Sequence, residues 1–175
     1  YGNFYQCMRN IDAPSMDCLT SIPEQVPWQV ARLIGSVADI CNRDITMSAT
    51  SDHVQQWRPE GDERPKVVVT EEEIRGTCNR LMVSGITTIT SYYRFQYLSN
   101  KHLVRLNEWV GRCCTMLKGG THVTDIAIVY PAESLSAHFQ PSREWTKDAP
   151  ASAQRIAQTY DIISSLLFKS GRDFT

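Results

Sequence analysis

Apolar residues recur at intervals of three and four in four stretches of the chain, which is the spacing of one face of an α-helix. The predicted helices begin near Pro27, Thr70, Ser99 and Pro150. Before each helix lies a shorter run rich in β-branched or apolar residues, which is typical of a strand. The four predicted strands cover residues 16–20, 44–50, 86–93 and 125–130. The chain is therefore predicted to alternate strand and helix.

Local signals mark several helix ends. Thr70 is placed to accept the backbone N–H of Glu73, and the Glu73 side chain can reach back to the backbone of Thr70. This capping box predicts a helix start. Gly85 and the pair Gly119–Gly120 each follow a helical stretch and predict helix ends.

Strand–helix alternation without hairpin turns predicts a parallel α/β fold. The continuous apolar run at 125–130 indicates a strand covered on both faces. A chain of 175 residues fits one ordinary domain, but an eight-stranded α/β barrel needs about 250. We therefore expect several β/α units cut from something longer. The chain opens at Tyr1 rather than Met, so we expect a natural N-terminus upstream and leave the compartment open.

Charge and cysteine content narrow the functional classes. Lys and Arg number 18 against 19 Asp and Glu, a formal net charge of −1, which argues against non-specific binding to nucleic acid or anionic membrane. The six cysteines form no C-x-x-C pair. We expect them to be reduced and to serve in packing, because the ligand spacing of a zinc site is missing.

Common cofactor and nucleophile motifs are missing from the sequence. No G-x-G-x-x-G follows a strand, and no P-loop, G-x-S-x-G or H-E-x-x-H motif is present. We therefore expect neither a bound cofactor nor a metal.

In parallel α/β proteins, functional residues gather at the carboxyl ends of the strands. The candidates there are Glu24 after the first strand, Asp52, His53 and Trp57 after the second, and Tyr92, Tyr93 and Arg94 after the third. Aromatic faces stack on sugar rings and polar groups bind hydroxyls, so this set predicts a carbohydrate surface. The alternative is that loops at sheet ends are polar in any protein of this class.

Several segments resemble the late part of a bacterial glycoside hydrolase barrel. They are residues 47–53, 70–80, 86–93, 107–112 and the stretch V-T-D-I-A-I-V-Y-P-A-E-S at 123–134. The similar enzymes are α-L-rhamnosidase-like and β-galactosidase-like glycosidases, whose TIM-type barrel is followed by a glutamine-amidotransferase-like α/β domain.

The resemblance implies two domains. Residues 1–120 would be the last units of a (β/α)8-type catalytic barrel, and residues 121–175 would start a flavodoxin-like or amidotransferase-like domain. Its implied partners are a carbohydrate substrate and the remaining barrel and downstream domains of the same polypeptide.

One position departs from the family pattern. Those glycosidases tend to have a Glu between Ser and Thr or Ser, where this chain has Ala49. Glycosidases use two carboxylates, and alanine supplies none. An engineered inactive variant, a degenerate natural relative or a misplaced register would each explain it. Asp52 and Glu24 are the candidate substitutes, and each is otherwise an ordinary loop residue.

The sequence is therefore compatible with three hypotheses about function. The first is a glycoside hydrolase, present as a partial catalytic domain and inactive if Ala49 occupies the position of a catalytic Glu. The second is a non-catalytic carbohydrate-binding or structural α/β module. A flavodoxin-like binding domain is a third, against which the missing phosphate-binding glycine loop argues.

Overall fold

A computed structural model describes residues 3–55, 60–92, 94–139 and 149–175 of the chain. Their contacts form two compact units. One unit spans Met8–His122, and the other combines the residues up to Cys7 with Val123–Thr175. The division into domains 1–120 and 121–175 stays a prediction.

The larger unit contains a three-stranded parallel sheet in the order β1–β2–β3. Its strands are β1 (Ser15–Asp17), β2 (Met47–Thr50) and β3 (Thr88–Ser91). The helices of the described residues are α1 (Phe4–Met8), α2 (Trp28–Ile40), α3 (Glu71–Val83), α4 (Asn100–Leu117), α5 (Ala132–Ala137) and α6 (Ala151–Lys169). Because α2 and α3 connect successive parallel strands, the predicted α/β alternation is confirmed for the first three units.

The predicted helix starts match the observed caps. Thr70 Oγ1 accepts the backbone N–H of Glu73 at 3.2 Å, and Glu73 Oε2 accepts the backbone N–H of Thr70 at 2.7 Å. Ser99 caps α4 by accepting the backbone N–H of His102 at 3.3 Å. These bonds satisfy helix N–H groups that lack a partner within the helix.

The core of the larger unit lies where α3 and α4 cover β3. One cluster of this core consists of four buried residues, Val69, Ile74, Cys78 and Leu106. Ile89 on β3 and Trp109 on α4 pack against this cluster. α3 packs against α2, α4 and β2, so the three helices follow one another as the strands do.

Two glycines allow α2 to approach the turn after α3. Gly85 has φ +107°, a backbone conformation that favours glycine. A Cβ on Gly85 would lie 3.0 Å from the Cα of Gly35. The glycine predicted as a helix end therefore also sets a backbone contact between two β/α units.

The second unit departs from the sequence prediction in three places. The predicted strand 125–130 is not assigned as a strand, although Ile128 N–H donates to the carbonyl of Thr175 at 2.8 Å and Thr175 N–H donates to Ile126 at 2.9 Å. This is the hydrogen-bond pattern of a single parallel pairing. Helices α1 and α5 were not among the predicted helices.

A tyrosine cluster packs inside the second unit. The ring of Tyr130 lies 5.7 Å from Tyr5 and 5.0 Å from Tyr160, measured between centroids. Burial, followed by the neighbouring phenol of Tyr130, raises the pKa of Tyr160 to about 12. Burial likewise raises the pKa of Tyr5. The three rings therefore pack α6 against the segment before α5.

Candidate functional site

The candidate site lies at the carboxyl ends of the three strands. Ala49 on the central strand pairs in register with Asp17 on β1 and with Thr90 on β3. Ala49 is 6% exposed, whereas Asp17 and Thr90 are both exposed. The Asp17 side chain makes no hydrogen bond or ion pair within the described part of the chain. The row therefore carries a free carboxylate beside the position where the resemblance implies a Glu.

This row lies on the face of the sheet opposite α3 and α4. Ile89, one residue before Thr90, packs against the core cluster of α3 and α4. Since successive side chains of a strand point to opposite faces, Thr90 and its register partner Ala49 lie on the other face. Ala49 is thus opposite α3 and α4, near the carboxyl end of the central strand.

Asp52 is buried just beyond β2, with 1% of its surface exposed. One carboxylate oxygen, Oδ2, accepts the backbone N–H groups of Gln96 at 2.5 Å and Tyr97 at 2.7 Å. The other oxygen lies 3.0 Å from His53 Nδ1. Burial alone raises the pKa of Asp52, but the bonds from Tyr97, His53 and Gln96 outweigh it and hold the pKa below its usual value. Both oxygens of Asp52 are occupied by structural bonds.

His53 is also buried and lies between three groups. Its Nδ1 faces Asp52, its Nε2 lies 3.4 Å from Lys66 Nζ, and its ring centroid lies 6.0 Å from that of Tyr97. Donation from Nδ1–H to the Asp52 carboxylate leaves the Nε2 lone pair to accept from the ammonium of Lys66. The residue pairs with Val68 in an antiparallel bridge.

Backbone and hydroxyl bonds join the loops after β1 and β2. Ser21 Oγ donates to the carbonyl of Ser51, and Ser51 Oγ donates to that of His53. Gln55 N–H donates to the carbonyl of Leu19 at 2.9 Å. Together with the bonds of Asp52 to residues 96–97, they connect the loops that follow all three strands.

The other predicted site residues are more dispersed. Glu24 lies exposed in the 3-10 turn Pro23–Gln25, and no described contact links it with Asp52 or His53. Tyr92 is 45% exposed, and Arg94 is exposed beyond the end of β3. Trp57 and Tyr93 lie outside the described residues.

Sequence reasoning did not single out Asp17, Lys66 or Tyr97. The predicted strand 16–20 placed Asp17 near its beginning, and only the observed end of β1 at Asp17 puts this residue at the functional end of the sheet. Lys66 and Tyr97 lie in loops at positions that only the folded chain brings to His53.

A second polar cluster joins α3 to α4. Glu71, 4% exposed, pairs with Arg105 at 2.5 Å and with Arg75 at 2.9 Å. The bond from Arg105, opposed by burial and supported by Arg75, lowers the pKa of Glu71 to about 2. Arg75 also lies 4.9 Å from the ring centroid of Trp109. The geometry of this cluster is that of a structural tie between helices.

A cavity of about 390 Å³ lies at the amino end of the sheet, bordered by the carboxyl ends of α2, α3 and α4. Arg32, 5% exposed, donates to the carbonyl of Val83 at 2.8 Å and lies 3.1 Å from His122 Nε2. Cations are favoured at helix carboxyl ends, which explains this arginine as a cap. None of the predicted site residues lines the cavity.

All six cysteines are free thiols, of which Cys18 and Cys78 are buried. Burial is the main cause that raises the pKa of Cys78 to about 12, and the neighbouring thiols of Cys114, Cys18 and Cys113 add to it. A thiol with so high a pKa is a poor nucleophile at neutral pH. Cys78 therefore serves the core.

The described residues lack a metal-binding group and a membrane-spanning helix. No group of three or more His, Cys, Asp or Glu side chains there is arranged to hold a metal ion. In the same residues, no helix combines the length and the apolar character needed to cross a membrane.

Comparison with known proteins does not identify a family for this chain. No family model matches the chain, and no similar curated protein or solved structure was found.

Proposed function

We propose that the chain is part of a glycoside hydrolase and that the carboxyl ends of β1–β3 face its carbohydrate substrate. The observation that carries the proposal is the place of Ala49. It lies on the face opposite α3 and α4 near the end of the central strand, in register with the exposed Asp17. This is where a barrel glycosidase holds its catalytic groups.

The sheet supports the barrel part of the proposal. Parallel sheets are normally covered on both faces, and α3 and α4 cover one face here. The side chains of Asp17, Ala49 and Thr90 on the other face are small, and those of Asp17 and Thr90 are polar. A barrel interior, closed by further strands of the same polypeptide, is the cover we propose for it.

The second unit supports a following α/β domain. The two parallel-type hydrogen bonds of Thr175 with Ile126 and Ile128 span α6, and this order of segments is that of a β–α–β connection without assigned strands. We propose that this is the beginning of the flavodoxin-like or amidotransferase-like domain.

Glycosidic cleavage needs one carboxyl group as acid and a second as nucleophile or base, around an oxocarbenium-like transition state. Asp52 is not placed for either role, because its oxygens hold His53 and the backbone of residues 96–97. Its proposed role is to fix the loops around the site. With alanine at position 49, the chain has one carboxylate too few for efficient hydrolysis.

Chemical rescue tests this proposal on the complete polypeptide that contains the chain. Azide would enter the space left by the missing side chain and attack the anomeric carbon of a 2,4-dinitrophenyl glycoside, as dinitrophenolate leaves with the bonding electrons. We expect azide to raise dinitrophenolate release at least tenfold over a panel of sugars, with a glycosyl azide as product.

The substitution Ala49→Glu gives the complementary result. We expect azide-independent hydrolysis to rise by about 10²-fold or more, the usual contribution of a positioned catalytic carboxyl. Asn79→Glu, at an exposed position on α3, adds the same charge as a control and should change nothing. No hydrolysis with either azide or Ala49→Glu, in protein that melts cooperatively, would refute the hydrolase proposal.

A second candidate is a non-catalytic carbohydrate-binding module, which the alanine at position 49 favours. It predicts that glycans bind to the same face and are not cleaved, with azide or without. Glycan binding combined with failed rescue would select this function.

A further inference from the structure

We propose that Asp17 is a catalytic carboxylate of this site, the group that faces the positive charge developing on the sugar ring. The inference rests on the proposed glycosidase function and adds a residue to it. Asp17 is the last residue of β1 and the direct register partner of Ala49.

The register of β1 and β2 determines where the Asp17 side chain lies. Adjacent strands lie about 4.8 Å apart, and register partners point to the same face. Asp17 therefore projects from the face opposite α3 and α4, beside Ala49 and at the same height along the sheet. A ligand that contacts position 49 at the end of β2 would also meet the Asp17 carboxylate.

The carboxylate oxygens of Asp17 and Asp52 differ in their availability to a ligand. A catalytic carboxylate needs an oxygen free for the substrate, and the oxygens of Asp52 are both engaged. Asp17 is exposed, and its side chain makes no hydrogen bond or ion pair among the described residues. Of these two aspartates at the carboxyl end of the sheet, Asp17 is the one that can turn to a ligand.

The proposed role of the Asp17 carboxylate is to stabilise the transition state. A glycosidase transition state carries positive charge at the anomeric carbon and ring oxygen, and a carboxylate next to it lowers its energy. Cationic iminosugars carry a protonated nitrogen in the ring and present that charge permanently. They therefore report on the proposed role of Asp17 without any turnover.

The test compares iminosugars with neutral sugars by calorimetric titration of the complete polypeptide. The probes are gluco-, galacto- and rhamno-configured iminosugars and the three matching monosaccharides. We expect Asp17→Asn to weaken the tightest iminosugar at least tenfold and the matching monosaccharide less than twofold. Asp17→Glu, which keeps the charge, should retain most of the preference for the cation.

Asp12→Asn is the matched control, because Asp12 is an exposed aspartate before β1 whose ion pair is to Arg43, at 3.6 Å. It should change neither affinity. Asp17→Ser gives the same comparison if Asp17→Asn does not fold.

The outcomes separate the two proposals. Unchanged iminosugar affinity in a folded Asp17→Asn protein that still binds sugars overturns the role of Asp17 and leaves the proposed function standing. If no sugar and no iminosugar binds to the folded natural protein, both proposals fail.

Discussion

Asp52 Oδ2 accepts the backbone N–H of Tyr97 at 2.7 Å, across 45 positions of sequence. The bond ties the loop after β3 to the end of β2. It is reinforced by the N–H of Gln96 on the same oxygen and by His53 on the other. A single buried carboxylate thus determines how two loops meet at the carboxyl end of the sheet.

The first prediction concerns this carboxylate. Asp52→Ala leaves two backbone N–H groups without their acceptor, and we expect the free energy of unfolding to fall by about 2–4 kcal/mol in urea denaturation. Asp52→Asn keeps a carbonyl oxygen for the N–H groups and should cost less. Equal losses in the two variants would show that the acceptor oxygen is not what stabilises the loops.

The second prediction concerns acid stability. The pKa of Glu71 is about 2 in the folded chain against an ordinary value of 4.5. A lowered pKa means that the folded state binds fewer protons than the unfolded state, so the contribution is complete above about pH 4.5 and is lost as pH falls toward 2. Thermal melts over this range should show a shallower decline for Glu71→Gln than for the natural chain. Glu72→Gln, at the exposed neighbouring position, should keep the natural slope.

The third prediction reverses the usual effect of a helical glycine. Gly→Ala inside a helix normally stabilises by about 1 kcal/mol. At Gly76 on α3, however, the added Cβ would lie 2.6 Å from Cγ of Pro23 in the 3-10 turn. We expect Gly76→Ala to lower the free energy of unfolding by about 1–3 kcal/mol, as overpacking does. Gly111→Ala on α4, with nothing within 4 Å, should raise it.

The fold was predictable wherever local signals decided it. The capping box at Thr70 and the cap at Ser99 gave helix starts because they act within one turn. Strand 125–130 was predicted from apolar content, yet a strand depends on pairing partners elsewhere in the chain. The pairing found for this segment is with Thr175, so the structure has an extended segment there instead.

The sequence predicted that the candidate site lies at the strand ends, but it did not predict the contacts of the individual side chains. Parallel alternation located it at the strand ends, and Asp52 and His53 lie there. Which carboxylate is buried and which is free depends on the 96–97 loop, a contact across more than forty residues. No local pattern distinguishes Asp52 from Asp17 in this respect.

The last prediction concerns the outer strands. β1 and β3 each pair on one side within the described part of the chain, and unpaired strand edges promote association between molecules. We expect the purified 175-residue chain to self-associate, with a light-scattering mass that exceeds 19.9 kDa and grows with concentration. Thr90→Lys puts a charge on the edge strand β3 and should reduce this growth, because edge lysines oppose strand pairing. Asn79→Lys adds the same charge on an exposed position of α3 and should not. A concentration-independent monomer that melts cooperatively would show that the sheet needs no further strands, and would count against the barrel proposal as well.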